Sequence, residues 1–156
     1  MAHQYTAEII WERGNQNFLD NRYSRKFLLK FDGGIEVAGS SSPLVVPLPF
    51  SEPQAVDPEE AFVSAISSCH MLWFLSIAAK HWFVVDSYHD QAVGVMKPNE
   101  HKKYWVAEVT LQPKILFSGA KMPSAAELER LHEEAHEECF IANSVKTKIT
   151  VRPQST

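Results

Sequence analysis

The longest apolar run in the sequence extends from Ala61 to Ala79 and contains no Asp, Glu, Lys or Arg. Asp57 and Pro58 precede this run and are typical of a helix start, because aspartate caps free backbone N–H groups and proline needs no donor at the first helical position. We therefore predict a long helix that begins at Asp57 and ends at Lys80. A helix that is apolar on nearly every side is expected at the centre of a protein core.

A membrane helix is the alternative interpretation of this run, because the run is long enough to cross a bilayer. Against that alternative, it contains His70 and several serines, its N-terminal flank is acidic, and no second run of this kind occurs in the chain. These features favour a buried core helix over a membrane helix. We therefore expect no association with a membrane.

Before the helix, runs rich in β-branched and aromatic residues predict three strands. An Asp-Gly-Gly turn predicts a hairpin between the second and the third, and the first is expected at a sheet edge. The predicted strands are Tyr5–Trp11, Phe27–Phe31 and Ile35–Ala38. Five prolines from Pro43 to Pro58 predict an extended arm without regular structure, because proline removes a backbone donor.

After the helix, three further strands are expected, followed by a second helix and a last strand. Ser124 and Glu127 predict a capping box at the start of the second helix. The expected buried face of this helix consists of Leu128, Leu131, Ala135 and Cys139. The predicted strands are Trp82–Tyr88, Asp90–Met96, Tyr104–Ile115 and Lys146–Val151. This order predicts a single α+β domain over residues 1–156, with antiparallel sheets wrapped around the long buried helix.

Composition and charge disfavour several classes of protein. The net charge of -4 and a pI near 6.0 argue against a nucleic-acid partner or an anionic membrane surface. The N-terminus lacks the basic and apolar regions of a signal peptide, so we expect a cytoplasmic protein. No nucleotide-binding, zinc-protease or serine-hydrolase motif occurs, and no cofactor is expected. The two cysteines, Cys69 and Cys139, are too few for a disulfide scaffold and are candidate reactive groups.

The two cysteines differ in their expected surroundings. Each is predicted on a buried helix face, where a cysteine can also simply fill core space. Cys139 follows two glutamates at the negative end of a helix, which disfavours a thiolate there. Cys69 lies among apolar residues and needs a nearby cation to become a thiolate, with His70, Arg22 and Arg25 as the candidates. We therefore predict Cys69 as the attacking thiolate and Cys139 as the resolving thiol.

A zinc site is the rival interpretation of the same residues. Cys69, His70, His136 and Cys139 all carry side chains that bind zinc. Adjacent residues such as Cys69 and His70 project about 100° apart on a helix, so both cannot easily reach one ion. The spacing of the four residues also matches no common zinc pattern, and zinc is therefore disfavoured. The remaining histidines, His132 among them, are expected to be solvated at the surface.

Two motifs resemble those of the OsmC/Ohr family, the osmotically inducible and organic hydroperoxide resistance proteins. One is Asp-Pro-Glu-Glu at 57–60 followed by Cys69, and the other is AHEECFIANSV at 135–145. In element order the resemblance covers nearly the whole chain, and His70 directly after the cysteine is closer to an OsmC-like branch than to the Ohr branch. The resemblance implies an intertwined homodimer and a thiol-dependent peroxidase that reduces organic hydroperoxides.

The resemblance also implies a role for each residue that matches a motif position. Cys69 matches the peroxidatic cysteine, Cys139 the resolving cysteine, and Glu59 the partner of an arginine that holds the thiolate. Arg22 and Arg25 both stay open as that arginine. The implied product is a Cys69–Cys139 disulfide, which an external dithiol of lipoyl or thioredoxin type reduces.

Aromatic residues next to the first cysteine are expected to contact an apolar substrate, and His70, Trp73 and Phe74 are the predicted contacts. A non-catalytic protein that binds apolar ligands stays open as an alternative, together with a zinc protein. Glu59 precedes Cys69 by ten residues, or about 15 Å along one helix, so it cannot reach the cysteine of its own helix. We therefore expect a two-fold partner chain to complete the site.

Overall fold

The computed structural model describes residues 2–154 of the chain. These residues divide into two compact units, with the boundary between Ala61 and Phe62. The first unit holds three strands and the start of a helix, and the second holds the rest of that helix, five strands and a second helix. The combination of helices and sheets confirms the predicted α+β class. The expected organisation as a single domain stays a prediction.

The first unit contains a three-stranded antiparallel sheet in the order β1-β2-β3. Its strands are β1 (Ala7–Ile10), β2 (Phe27–Phe31) and β3 (Glu36–Gly39). The predicted hairpin is confirmed: Gly34 adopts a φ of 83°, which glycine tolerates without steric cost, and its N–H donates to the Phe31 carbonyl at 2.9 Å. The proline-rich segment that follows contains no helix or strand, as predicted, but it forms turns and bends instead of an extended arm.

The long helix α1 (Pro58–Lys80) has the predicted bounds, because the residues at its start satisfy its free backbone groups. The Glu60 N–H donates to Asp57 Oδ1 at 2.7 Å, and the Asp57 N–H donates to Glu60 Oε2 at 3.1 Å. These two bonds form a reciprocal capping box. The helix start is therefore fixed by local sequence.

Burial of α1 differs from the expectation that all its sides lie in the core. One stripe is buried, and it consists of Ile66, His70, Phe74, Ile77 and Ala78. The other side is largely open in the single chain, where Leu72 is 63% exposed. Within residues 2–154, α1 is the helix with the length and composition of a membrane span, but its buried stripe packs in two apolar clusters of the second unit, as a core helix does.

The second unit contains two sheets, and both contribute residues to the apolar clusters in which α1 packs. In the first sheet, β4 pairs with β7 in antiparallel orientation. The second sheet has the order β5-β6-β8, and its β5 and β6 are also antiparallel. The strands are β4 (Val84–Asp90), β5 (Val93–Pro98), β6 (Tyr104–Leu111), β7 (Pro113–Ser118) and β8 (Lys148–Val151). The pairing of β6 with β8 is parallel, which departs from the expected antiparallel sheets.

The predicted strand over Tyr104–Ile115 is also two strands rather than one. The interruption falls at Gln112, whose backbone N–H donates to Asp90 Oδ1 at 2.6 Å and so is removed from a strand ladder. Pro113 follows and has no N–H to offer. The chain therefore leaves one sheet at this point and enters the other.

The second helix, α2 (Ala125–Glu138), begins at the predicted capping box of Ser124 and Glu127. The same helix packs Leu131 and Ala135 into the apolar cluster around Phe74, and Cys139 caps its C-terminus. A short 3₁₀ turn, Ala142–Ser144, follows before β8. Helices α1 and α2 therefore share one core within the second unit, and each carries a cysteine.

Candidate active site

An open groove of about 510 Å³ runs along the exposed side of α1. Helix α1 supplies most of its wall, and the segment just after α2 supplies the rest. The lining residues are Ala65, Ser68, Cys69, Leu72, Trp73, Ser76, Phe140 and Ile141. The ring of Trp73 meets that of Phe140 edge to face, with centroids 5.4 Å apart. The groove is mostly apolar, and a thiol lies in its wall.

Cys69 and Cys139 are both free thiols, and the fold brings them into hydrogen-bonding contact. Cys69 is half-buried in the groove, whereas Cys139 is 1% exposed at the C-terminal cap of α2. The Ala142 N–H donates to Cys139 Sγ at 3.4 Å and helps to fix that side chain. The sulfur that is open to the groove therefore has a buried thiol directly behind it.

The buried thiol holds its proton firmly. Burial, and after it the hydrogen bond with Cys69, raise the pKa of Cys139 to about 11. This direction was expected from the sequence, but the cause is different: burial and the neighbouring sulfur dominate, rather than the glutamates before it. At neutral pH Cys139 is therefore protonated and can donate a hydrogen bond to Cys69.

The structure places His70 away from the groove, on the buried stripe of α1. His70 is 1% exposed, and its Nε2 lies 3.0 Å from Nδ1 of His132, which is 4% exposed. Their rings stack with centroids 5.3 Å apart. The position of His70 therefore does not agree with the expectation that it contacts substrate. The expectation that His132 is solvated is wrong. Both histidines lie beside apolar core residues. No local signal in the sequence of α2 indicates that His132 is buried.

Burial decides the charge of this pair. Burial lowers the pKa of His70 to about 4, assisted by the positive form of His136 and opposed by Asp90. Burial likewise lowers the pKa of His132 to about 3, assisted by His70. Both rings are therefore neutral at physiological pH. His70 consequently cannot supply the cation that a Cys69 thiolate needs.

The two aromatic residues predicted as substrate contacts separate onto opposite sides of α1. Trp73 lines the groove, as predicted. Phe74 is fully buried in the core, with its ring centroid 4.5 Å from that of His132, so it does not line the groove. Phe140 and Ile141 line the groove without having been predicted, although two apolar residues directly after Cys139 were a usable signal.

The remaining predicted residues lie in the first unit. Arg25 stacks on Tyr23, with its guanidinium carbon 3.9 Å from the ring centre, and donates to the Asn21 carbonyl at 3.0 Å and to Asn21 Oδ1 at 2.7 Å. Arg22 lies 5.7 Å from the centre of the Phe50 ring. Glu59 is half-buried in the first turn of α1. The roles of these three residues towards Cys69 stay predictions.

No group of three or more histidine, cysteine, aspartate or glutamate side chains in the described part of the chain is arranged to hold a metal ion. The suggested zinc ligands are also divided: His70 faces the core beside His132, Cys69 faces the groove, and His136 is exposed. Within residues 2–154 these four side chains therefore do not form one zinc site.

Comparison with known proteins identifies the family. The family model described as OsmC-like protein matches residues 51–154, so the chain belongs to the OsmC-like family. A solved structure of an OsmC-like protein of unknown function from Vibrio cholerae is 48% identical, covers 98% of this chain and 100% of that chain, and has a TM-score of 0.96. No curated protein gives a significant match.

More distant solved structures share the fold. An organic hydroperoxide resistance protein from Elizabethkingia anophelis is 19% identical with a TM-score of 0.69, covering 98% of this chain and 96% of that one. The organic hydroperoxide resistance protein OhrB of Bacillus subtilis is 15% identical with a TM-score of 0.67, covering 96% and 98%. The fold of this chain is therefore that of OsmC and Ohr proteins.

The neutral, buried histidine pair predicts a specific dependence of stability on pH. An unfolded histidine takes up a proton near pH 6.5, whereas in the folded chain His70 does so near 4 and His132 near 3. The unfolded state therefore binds more protons below about pH 6.5, and the free energy of unfolding falls as the pH drops, by up to about 1.4 kcal/mol per pH unit for each histidine.

Urea unfolding between neutral pH and about pH 4.5 measures this dependence. His132→Leu should reduce the slope because one buried site is removed. His101→Gln, at an exposed histidine in the turn between β5 and β6, should leave the slope unchanged. If His132→Leu and the wild type have equal slopes, the pair does not control this dependence.

Proposed function

We propose that this protein is a cysteine-based peroxidase that reduces organic hydroperoxides. The observation that carries the proposal is the pair of free thiols in contact: Cys69 is open to an apolar groove, and Cys139 is protonated and buried behind it. An apolar groove suits the hydrocarbon part of an organic hydroperoxide better than it suits a small polar peroxide. Membership of a family that includes hydroperoxide resistance proteins supports the same activity.

The proposed reaction has two chemical steps at sulfur. In the first, the Cys69 thiolate attacks the terminal peroxide oxygen, the O–O bond breaks, and the leaving alkoxide takes a proton to become an alcohol. Cys69 is then a sulfenic acid. In the second, the sulfur of Cys139 loses its proton and attacks the sulfenic sulfur, an S–S bond forms, and water leaves. An external dithiol of lipoyl or thioredoxin type then reduces the disulfide.

A cation is still needed to stabilise the first thiolate. The neutral His70 does not supply it, so an arginine oriented by Glu59 is the proposed source, with Arg22 and Arg25 as the candidates. Because the proposed cycle passes through reduced thiols, it fits the reducing conditions of the cytoplasm, which is the proposed location.

The reaction predicts a definite count of thiols. One equivalent of cumene hydroperoxide should convert both thiols of the wild type to one disulfide, measured by thiol titration and peptide mapping. Cys69→Ser should abolish peroxide consumption. Cys139→Ser should still be oxidised once at Cys69 but should fail to turn over with a dithiol, because no resolving sulfur remains. Ser87→Ala, at an exposed position of β4, should behave as the wild type.

The alternative function gives the opposite result. A protein that only binds apolar molecules in the groove would keep both thiols after peroxide treatment while still binding a fluorescent apolar probe. Survival of both thiols in the wild type, or equal peroxide consumption by Cys69→Ser, would therefore contradict the peroxidase and favour the binding protein.

We further propose that the active protein is a homodimer with sites shared between chains. Leu72 and Phe140 beside the groove are 63% and 66% exposed in the single chain, which leaves apolar surface for a partner to cover. Glu59 and Cys69 are about 15 Å apart along α1, so Glu59 can orient an arginine only beside the Cys69 of another chain. An intertwined dimer satisfies both conditions.

Mixed dimers test the sharing directly. Glu59→Gln chains combined with Cys69→Ser chains should regain one complete site per heterodimer, and hence at most half of wild-type activity. Cys69→Ser chains combined with the Glu59→Gln/Cys69→Ser double variant are the matched control and should stay inactive. A verified heterodimer without recovery, or a fully active monomer at micromolar concentration, would rule out the shared site.

A further inference from the structure

The His70–His132 pair connects the two helices that carry the cysteines. His70 directly follows Cys69 in α1, and His132 precedes Cys139 by two helical turns, on the same face of α2. Because each helix is rigid over these short distances, the position of one histidine relative to the other determines the position of one sulfur relative to the other. Peroxide chemistry at Cys69 does not use either ring.

The contact between the rings is polar in an otherwise apolar place. Phe74, Leu131 and Ala135 belong to the core cluster beside the pair, and the ring of Phe74 lies 4.5 Å from that of His132. Apolar contacts tolerate small rotations and slides, whereas the 3.0 Å contact between Nε2 and Nδ1 holds only over a narrow range of distances and angles. The pair therefore restricts how α1 and α2 can move against each other.

This restriction is retained at a cost. Nδ1 of His70 and Nε2 of His132 are buried without a hydrogen-bond partner in the described part of the chain. Leaving such a group unpaired destabilises the folded chain, a cost that apolar side chains of similar size would avoid. We therefore expect the pair to fix the relative position of α1 and α2 and not to add to the stability of the fold.

The pair also keeps one arrangement over the working range of pH. The charged and titratable groups that act on it are Asp90 and His136, and neither prevents burial from keeping both rings neutral. A neutral pair has one proton between its inner nitrogens in either tautomer. Protonation therefore does not break the contact between the two rings near neutral pH.

We propose that the His70–His132 pair positions Cys139 against Cys69 and so sets the rate of disulfide formation, but not the rate of peroxide attack. The proposal rests on the peroxidase function for its biological meaning, and its geometric part can be tested without peroxide. Both histidines are positioning residues, because they act on the reaction only through the helices that hold the two sulfurs.

Three substitutions at position 132 separate the effect of the polar contact from the effect of side-chain volume. His132→Leu fills the space but removes the polar contact. His132→Asn keeps a polar atom close to the position of Nδ1 and can still pair with His70. His132→Gln places its polar atoms one bond further out, near the position of Nε2, and is the mismatched control. Circular dichroism and thermal unfolding establish which variants are folded.

The first measurement is the equilibrium between the dithiol and the Cys69–Cys139 disulfide in glutathione buffers. It gives the effective concentration of Cys139 at Cys69. Losing the contact should lower this value about tenfold in His132→Leu and His132→Gln, which corresponds to about 1.4 kcal/mol. His132→Asn should stay within about threefold of the wild type, because its hydrogen bond is retained.

The second measurement separates the two steps of a single turnover with cumene hydroperoxide. Trapping with dimedone reports the sulfenic acid at Cys69, and loss of the Cys139 thiol reports the disulfide. In His132→Leu the sulfenic acid should form within about twofold of the wild-type rate, while disulfide formation slows about tenfold.

Three results would overturn the proposal. A folded His132→Leu or His132→Gln with the wild-type disulfide equilibrium would show that the pair does not position the sulfurs. Equal slowing of both steps would indicate a structural role only, as would failure of His132→Asn to restore the equilibrium. If His132→Leu does not fold, the comparison of His132→Asn with His132→Gln decides. If the wild type does not react with peroxide but these variants differ in their dithiol–disulfide equilibrium in glutathione buffer, the peroxidase function is wrong. The positioning role of the histidine pair is then still supported.

Discussion

The arrangement of the second unit depends on the packing of α1 against α2. One face of α1 enters the core beside α2, and the other forms the wall of an open groove. Cys69 lies on the groove side, and Cys139 closes the end of α2 behind it. Because the two helices meet in a close-packed core, the two sulfurs are held in contact without any covalent link.

The two thiols are in contact but differ in their burial. Cys139 is almost completely buried and keeps its proton, whereas Cys69 reaches the groove and accepts a hydrogen bond from it. An accessible sulfur with a second thiol in contact that can resolve it is the arrangement that two-step thiol chemistry requires. The fold is the one shared by OsmC and Ohr proteins, and the local electrostatics agree with the chemistry proposed for it.

Local features of the structure could be predicted from the sequence. The bounds of α1, the capping box of α2 and the hairpin at Gly34 each depend on residues a few positions apart, so their chemistry is visible in the chain. Pro113 is a local signal for a break near Gln112, but the acceptor of the Gln112 N–H is Asp90, a residue distant in sequence, so the split itself could not be predicted. The parallel pairing of β8 is likewise a consequence of where the chain returns after α2.

The site was predictable in part for the same reason. Both cysteines were recognisable from type and motif, but the face on which each neighbour lies was not. Helix α1 is apolar almost all round, so its pattern gives no indication that Trp73 faces the groove while Phe74 and His70 face the core. The burial of His132 escapes prediction because its partner is on another helix. Long-range packing decides these positions.

The relative reactivity of the two thiols towards a small alkylating reagent measures how far they differ. The reduced protein would be treated with iodoacetamide at neutral pH, and alkylation of each cysteine would be followed by peptide mapping. We expect Cys69 to be modified first and Cys139 to react appreciably only as the pH approaches its pKa of about 11 or when the chain unfolds. Modification of Cys139 at a rate equal to or above that of Cys69 in the folded protein would contradict this expectation.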